Sequence, residues 1–250
     1  MQGDNSFASK PSPSGLARHY EITLGVRGIP DPVTGYLISI QQLDAVVRGP
    51  MLTEIADQCQ QTPTTDPESM LPRLWTIASK HIEPTLSLLR WSLSPYYCVE
   101  MTTETHNTNA VEIRQCFEFA AAHRLHAPEL SDAENAEFFG KCNNPSGHGH
   151  NYRIEPCMRI GCEALGRINA QRVLQDAVNA VLLDKIDHTF LNTDVDWFDQ
   201  SRGGVIPSVE NIARVCFEQL APAIESIGHG AELVRMTAWE TEKTAAVYPG

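Results

Sequence analysis

Three histidines in the second half of the chain, His123, His148 and His150, sit where two neighbouring strands would bring their imidazoles together. The run Phe117-Glu118-Phe119-Ala120-Ala121-Ala122-His123 alternates with a period of two. That puts Phe117, Phe119, Ala121 and His123 on one face of a strand. His148-Gly149-His150 opens a second strand, with both histidines on a shared face and no side chain at Gly149 on the other. Three neutral nitrogen ligands plus an open position is the arrangement of a catalytic zinc, whereas closed structural sites take four ligands. The bland alternative is a set of satisfied core or surface histidines. A structural zinc drawn from Cys142, His148, Cys157 and Cys162 has no CxxC knuckle behind it. Cys157 and Cys162 read more simply as small buried hydrophobes.

The segment between the histidines adds a possible reactive group. Ser131-Asp132-Ala133-Glu134 has the form of a capping box opening a short helix, with Phe138 and Phe139 as its expected core contacts. Gly140-Lys141-Cys142-Asn143-Asn144-Pro145-Ser146-Gly147 follows, a loop composition poorly suited to a core. A cysteine held there beside Lys141 and near a metal is placed to act as a thiolate base or nucleophile; the alternative is a passive loop thiol.

The elements that would carry these residues occur twice. His19 to Arg27 reads as a strand, Asp31-Pro32-Val33-Thr34-Gly35 as a turn, and Tyr36 to Ile40 as a second strand. Leu43, Val46 and Val47 then begin a helical stripe. The stretch His150 to Leu183 repeats this order. A strand opens at Asn151, Gly161 to Gly166 turns, Arg167 to Ala170 returns, and Leu174, Ala177, Val178, Val181 and Leu182 mark a helix face. Each half continues with a second helix. One carries Leu71, Leu74, Trp75, Ala78 and Ile82; the other carries Val209, Ile212, Ala213, Cys216 and Leu220, with Ser208 as its N-cap. Each half then ends in a strand, Tyr96 to Glu104 and Leu233 to Glu240, closing on a Glu-Thr pair. Tyr20 and Tyr152 are 132 positions apart, and Glu104 and Glu240 are 136 apart. One small α+β unit is thus expected twice, over 1–108 and 109–250.

Bulk properties narrow the class. The net charge of −12 argues against a nucleic-acid backbone binder, whose footprint is usually basic. It leaves room for an anionic small substrate in a locally positive pocket. Hydrophobic content of 42% with no apolar run near the ~18 residues of a membrane span fits a globular protein. Met1 to Lys10 lacks a signal-peptide pattern, and seven dispersed cysteines suit a reducing cytoplasm.

Taken in order, Phe119-Ala120-Ala121-Ala122-His123-Arg124-Leu125 and Lys141-Cys142-Asn143-Asn144-Pro145-Ser146-Gly147-His148-Gly149-His150-Asn151-Tyr152 resemble the 6-pyruvoyltetrahydropterin synthase family. That family includes the 6-carboxytetrahydropterin synthases of deazapurine (queuosine) biosynthesis. Asp187-His188 within Leu183 to Asn192, then Pro207-Ser208-Val209-Glu210-Asn211 and Trp239-Glu240-Thr241, continue the resemblance over about residues 111–250. It implies the tunnelling (T) fold, a four-stranded antiparallel sheet with two helices on one face, assembled as a homo-oligomer around a barrel. It also implies that His123, His148 and His150 ligate Zn²⁺, that Cys142 is the base, that Asp187 and His188 relay protons, and that Glu240 anchors the pterin ring. The implied reaction converts 7,8-dihydroneopterin triphosphate to 6-pyruvoyltetrahydropterin with loss of triphosphate. The carboxy-forming reaction and a non-catalytic pterin-binding protein are the alternatives. Lys141 and Arg124 are nearby cations for the triphosphate, although no phosphate loop singles them out.

The first half departs from the family pattern. Aligning Tyr20 with Tyr152 sets Leu16 and Arg18 against His148 and His150, and Phe7-Ala8-Ser9-Lys10 against the Phe-to-His strand. Only Glu104 is expected to match, with Glu240. The first unit is therefore expected to be a degenerate T fold without metal ligands.

Overall fold

The structure, a computed structural model, describes residues 20–250; the expectations for Phe7 to Lys10, Leu16, Arg18 and His19 fall outside that range. The chain divides into a first unit up to Ile113 that also takes Ile160–Asn169, and a second unit of Arg114–Arg159 and Ala170–Gly250. The architecture is α+β, and both units contain a strand, a helix widened by a π turn, a further helix and a hairpin.

In the first unit β1 (Glu21–Arg27) leads through a loop to α1 (Ile40–Val46), a π turn (Val47–Met51) and α2 (Leu52–Gln61). Then come α3 (Leu71–His81), the hairpin of β2 (Thr85–Ser94) and β3 (Tyr97–Thr102), α4 (Thr103–Asn107) and β4 (Ala110–Gln115), whose last residues belong to the second unit. β1 and β3 flank β2, all antiparallel. The expected stripe of Leu71, Leu74, Trp75, Ala78 and Ile82 is buried, and α3 lies against β2 and β3.

The second unit opens with β5 (Phe117–His123), α5 (Asp132–Phe139) and β6 (His148–Gly161). Next are α6 (Ala170–Val178), a π turn (Asn179–Leu183), α7 (Asp184–Ile186), β7 (Thr189–Phe190) and α8 (Leu191–Asp194). It ends with α9 (Val209–Glu225), β8 (Glu232–Thr241) and β9 (Thr244–Tyr248). The four strands β5-β6-β8-β9 pair antiparallel in that order, and short β7 adds in parallel to the free edge of β5. Ser208 caps α9 by accepting from Asn211 N, and the buried stripe of α9 packs on β8 and β9. This is the T fold.

The π turns follow from the spacing of apolar residues. An α-helix advances about 100° per residue, so residues four apart drift by about 40° and residues five apart by about 140°. The second unit buries Ala170, Leu174, Val178, Leu182 and Ile186, a strict spacing of four, and the first buries Val46, Met51 and Ile55. Hydrogen bonding from i to i+5 widens the helix and returns those side chains to one face. Both turns lie 132 positions apart, the offset that relates Tyr20 to Tyr152.

Several sequence-based assignments are corrected. Tyr36 to Ile40 is not a strand: Ser39 caps α1 in a capping box with Gln42, so Ile40 starts a helix. Arg167 to Ala170 forms no return strand, because β6 runs on to Gly161 and a 3₁₀ turn follows. In each unit a hairpin follows the second long helix, and Glu104 falls in α4 beyond the first of these hairpins. Glu104 therefore does not correspond to Glu240, which lies on β8, the first strand of its hairpin. Cross-strand register equates β2 with β8: Ser92 pairs with Glu21 as Trp239 pairs with Arg153. Leu93 is thus the counterpart of Glu240. Phe138 is 78% exposed, and the buried residue of α5 is Asn135.

Candidate metal centre and active site

The β5–β6 register explains how the histidines meet. His123 pairs directly with His148, and Ala121 pairs with His150, which brings the third ring in diagonally on the same face. The chain enters β6 through Gly147 at φ +69°, where a Cβ would stand 2.7 Å from the Phe190 ring and 3.0 Å from the His123 carbonyl. Only glycine fits that turn. From β8, Glu240 reaches the same spot. His123, His148, His150 and Glu240 each offer a ligand atom, all within 4.8 Å of one another, the only such cluster of three or more among the described residues.

His123 is fully buried, and its Nδ1 lies 2.8 Å from the Pro207 carbonyl, to which it donates. A neutral ring so held presents the Nε2 lone pair to the cluster, the usual way an outer partner fixes a ligand tautomer. That Nε2 lies 3.1 Å from His148 Nε2 and 3.2 Å from Glu240 Oε1, while His150 Nε2 is 3.6 Å from the same carboxylate oxygen. His150 Nε2 is buried without a hydrogen-bond partner. Acceptors crowded this way are satisfied by a cation among them. The two short separations approach the ~3.3 Å edge of a tetrahedron with metal–ligand bonds of ~2.0–2.1 Å. The residues fit a metal ion. Burial depresses the pKa of His148, and the neighbouring His123 and His150 add to it. Burial likewise depresses that of His150, with His123 adding, although Glu240 opposes both shifts. Depressed values favour the neutral, ligating form. The close approach of His123 holds Glu240 below the usual carboxylate range against the effect of burial.

Cys142 is half-buried in the 3₁₀ turn Gly140–Asn143, and its carbonyl accepts from Leu125 N at 2.9 Å. Asp187 and His188 stand at the β5 edge, outside the metal cluster. Asp187 Oδ1 accepts from Ala120 N at 2.9 Å and lies 3.0 Å from His188 Nδ1. Burial raises the Asp187 pKa, but these two hydrogen bonds outweigh it and hold the carboxyl low. His188 is 82% exposed at its side chain, with φ +58°, and its backbone N–H donates to Ala120 O. It lines an open depression of about 520 Å³ with Ala120–Ala122, Gly149–Asn151 and Thr189. Of the two cations near the loop, Lys141 is exposed, whereas Arg124 Nε is taken up by Asn143 O and Oδ1 at 3.1 Å each. Two features escaped the sequence reading. The Pro207 carbonyl looked like mere approach to a helix cap, and Glu240 gave no sign of facing the imidazoles.

The second half of this chain is similar to known proteins. The guppy (Poecilia reticulata) 6-pyruvoyl tetrahydrobiopterin synthase is 35% identical over 133 residues, covering 53% of this chain and 85% of the relative. The human protein of that name is 31% identical over 140 residues, covering 56% and 91%. A 6-carboxy-5,6,7,8-tetrahydropterin synthase from Aquifex aeolicus is 26% identical, covering 55% and 96%. The solved Caenorhabditis elegans 6-pyruvoyl tetrahydropterin synthase aligns at TM-score 0.49 and 36% identity, covering 56% of this chain and 96% of that one. The sequence model of the 6-pyruvoyl tetrahydropterin synthase family matches residues 112–250, and the chain belongs to that family.

Proposed function

We propose that the chain is a zinc-dependent lyase that converts 7,8-dihydroneopterin triphosphate to 6-pyruvoyltetrahydropterin and releases triphosphate. The observation that carries this reading is the four-residue cluster of His123, His148, His150 and Glu240, lying inside the family-matched segment. The three imidazoles are a donor set that suits zinc and leave one position open; when bound, the metal would act as a Lewis acid toward the substrate's side-chain hydroxyls. Cys142 is the base that takes the carbon-bound proton. Asp187 orients His188 through Nδ1, which leaves Nε2 of an exposed imidazole to exchange protons. Glu240 accepts hydrogen bonds from the amino-pyrimidine edge of the pterin. The leaving triphosphate departs with the electron pair of the broken carbon–oxygen bond.

The first unit is, on this reading, a degenerate copy that retains the fold and contributes a wall to the assembly. The T-fold units close a barrel in a homo-oligomer with twice as many units as metal sites. Seven free thiols are in keeping with a reducing cytoplasm. Among the described residues no helix is long and apolar enough to cross a membrane. Mass spectrometry of the products after incubation with 7,8-dihydroneopterin triphosphate and zinc tests the reading. The pyruvoyl product is expected. A carboxy product with a two-carbon aldehyde would move the chain to the other branch of the family, and unchanged substrate would favour a pterin-binding protein.

A further inference from the structure

Side-chain amides join the three parts of the site. Asn192 in α8, four positions after His188, accepts from Arg124 N at 2.8 Å and donates to Arg124 O at 2.9 Å. Arg124 directly follows the metal-ligand candidate His123. Its Nε donates to the Asn143 carbonyl and to Asn143 Oδ1, which also lies 3.1 Å from His126 Nδ1. Leu125 N donates to the Cys142 carbonyl. Two successive carbonyls, those of Cys142 and Asn143, are therefore gripped from the 124–126 arm. Fully buried Asn135 closes the other end of that arm, with Oδ1 accepting from Ala127 N and Nδ2 donating to the carbonyls of Ala127, Leu130 and Ser131.

We propose that Asn192 and Asn143 are positioning residues, which lock the Cys142 turn and the Asp187–His188 segment to the end of β5 and so set where the thiol stands relative to the metal cluster. The role rests on Cys142 acting as the base, as proposed above. Neither amide needs to touch substrate. The carbonyls of Cys142 and Asn143 are both gripped from outside their turn, so the placement of the Cys142 sulfur depends on the groups that grip them. A misplacement of about 1 Å at a reacting group can cost roughly 10²-fold in rate.

The two amides make opposite demands, which gives the test. Asn143 uses its oxygen, so Asn143→Asp keeps both accepted bonds while Asn143→Ala loses them. Asn192 uses oxygen and nitrogen together, so Asn192→Asp puts a carboxylate oxygen against the Arg124 carbonyl. In the full-length, zinc-loaded protein, Cys142 alkylation by iodoacetamide is followed by peptide mass spectrometry, alongside zinc content, kcat and KM. Asn192→Asp and Asn143→Ala are expected to speed alkylation of the half-buried thiol by at least about threefold, the scale of one lost hydrogen bond. They should lower kcat about tenfold with KM within about twofold, and zinc content should stay at the wild-type level. Asn143→Asp should restore wild-type alkylation and kcat. Alkylation of Asn192→Asp at or below the wild-type rate overturns the proposal, as does an Asn143→Asp variant as impaired as Asn143→Ala. If the wild-type protein itself turns nothing over, the lyase reading fails, and the alkylation rates still decide whether the network holds the thiol.

Discussion

The two units share a backbone plan and differ at the few positions where chemistry would occur. Their π turns are related by one offset, and β2 and β8 hold the same register against β1 and β6. Where the second unit has Glu240 the first has Leu93. The same 132-residue offset sets Asp187 and His188 against Ile55 and Ala56. After its π turn the second unit's helix stops at Ile186, and His188 turns out at positive φ. The first unit's helix runs on to Gln61, with Ile55 buried at 2% exposure. A fold kept by apolar spacing tolerates this exchange, because the helix stripe and strand faces carry the burial while the site residues sit at element ends.

The sharpest way to break the comparison is to count metal ions. His148→Ala should abolish both zinc content, read by elemental analysis, and turnover, because the first unit offers no second cluster among its described residues. A tightly held zinc surviving His148→Ala would mean that the first unit carries a site of its own. Chelation should silence the wild-type protein without unfolding the second unit, whose core is apolar; loss of its circular dichroism on chelation would make the metal structural instead.

Next in size is Cys142→Ala. It should lower turnover by roughly 10²-fold or more, the scale for losing a general base, with zinc content and melting temperature near wild type. An emptied metal site in this variant would make the cysteine a ligand.

The exchange of Asp187 for Ile55 gives a stability contrast. Ile55→Asp places a carboxylate in a buried helix stripe, and should cost about 3–5 kcal/mol by denaturant melts. Asp187→Asn keeps an acceptor for Ala120 N at a partly exposed position and should cost under about 1 kcal/mol, while disabling the His188 partner. Equal costs at the two positions would show that they are not counterparts.

Much of the second unit was legible in the sequence because its patterns are local. The alternation of Phe117 to His123, the His148-Gly149-His150 opening of β6 and the Ser208 cap all appear where expected. The first unit was harder to read. Tyr36 to Ile40 is rich in residues that favour strands, yet the capping bond between Ser39 and Gln42 decides for helix. The Glu-Thr pairs at 104 and 240 look alike, but only pairing register shows that one lies past its hairpin and the other within it. The roles of Pro207, Asn192 and Asn143 depend on contacts between segments distant in the chain, for which no short-range pattern exists.

The smallest expected effect concerns Pro50, which sits inside the first unit's π turn. Within a regular helix a proline costs about 3 kcal/mol or more, from a missing N–H bond and a clash between its ring and the carbonyl four residues back. If Pro50 made the turn, Pro50→Ala should let the helix relax to regular α geometry and gain much of that energy. The second unit argues otherwise, since Leu182 holds the equivalent place and the helix widens there all the same. In both units the turn answers the wide spacing of buried residues, Val46 to Met51 in one and Leu174 to Ile186 in the other. Because the helix is already open at Pro50, the ring meets little strain. Pro50→Ala should therefore shift stability by less than about 1 kcal/mol. A stabilisation above about 2 kcal/mol in denaturant melts would instead mean that proline strain shapes this helix.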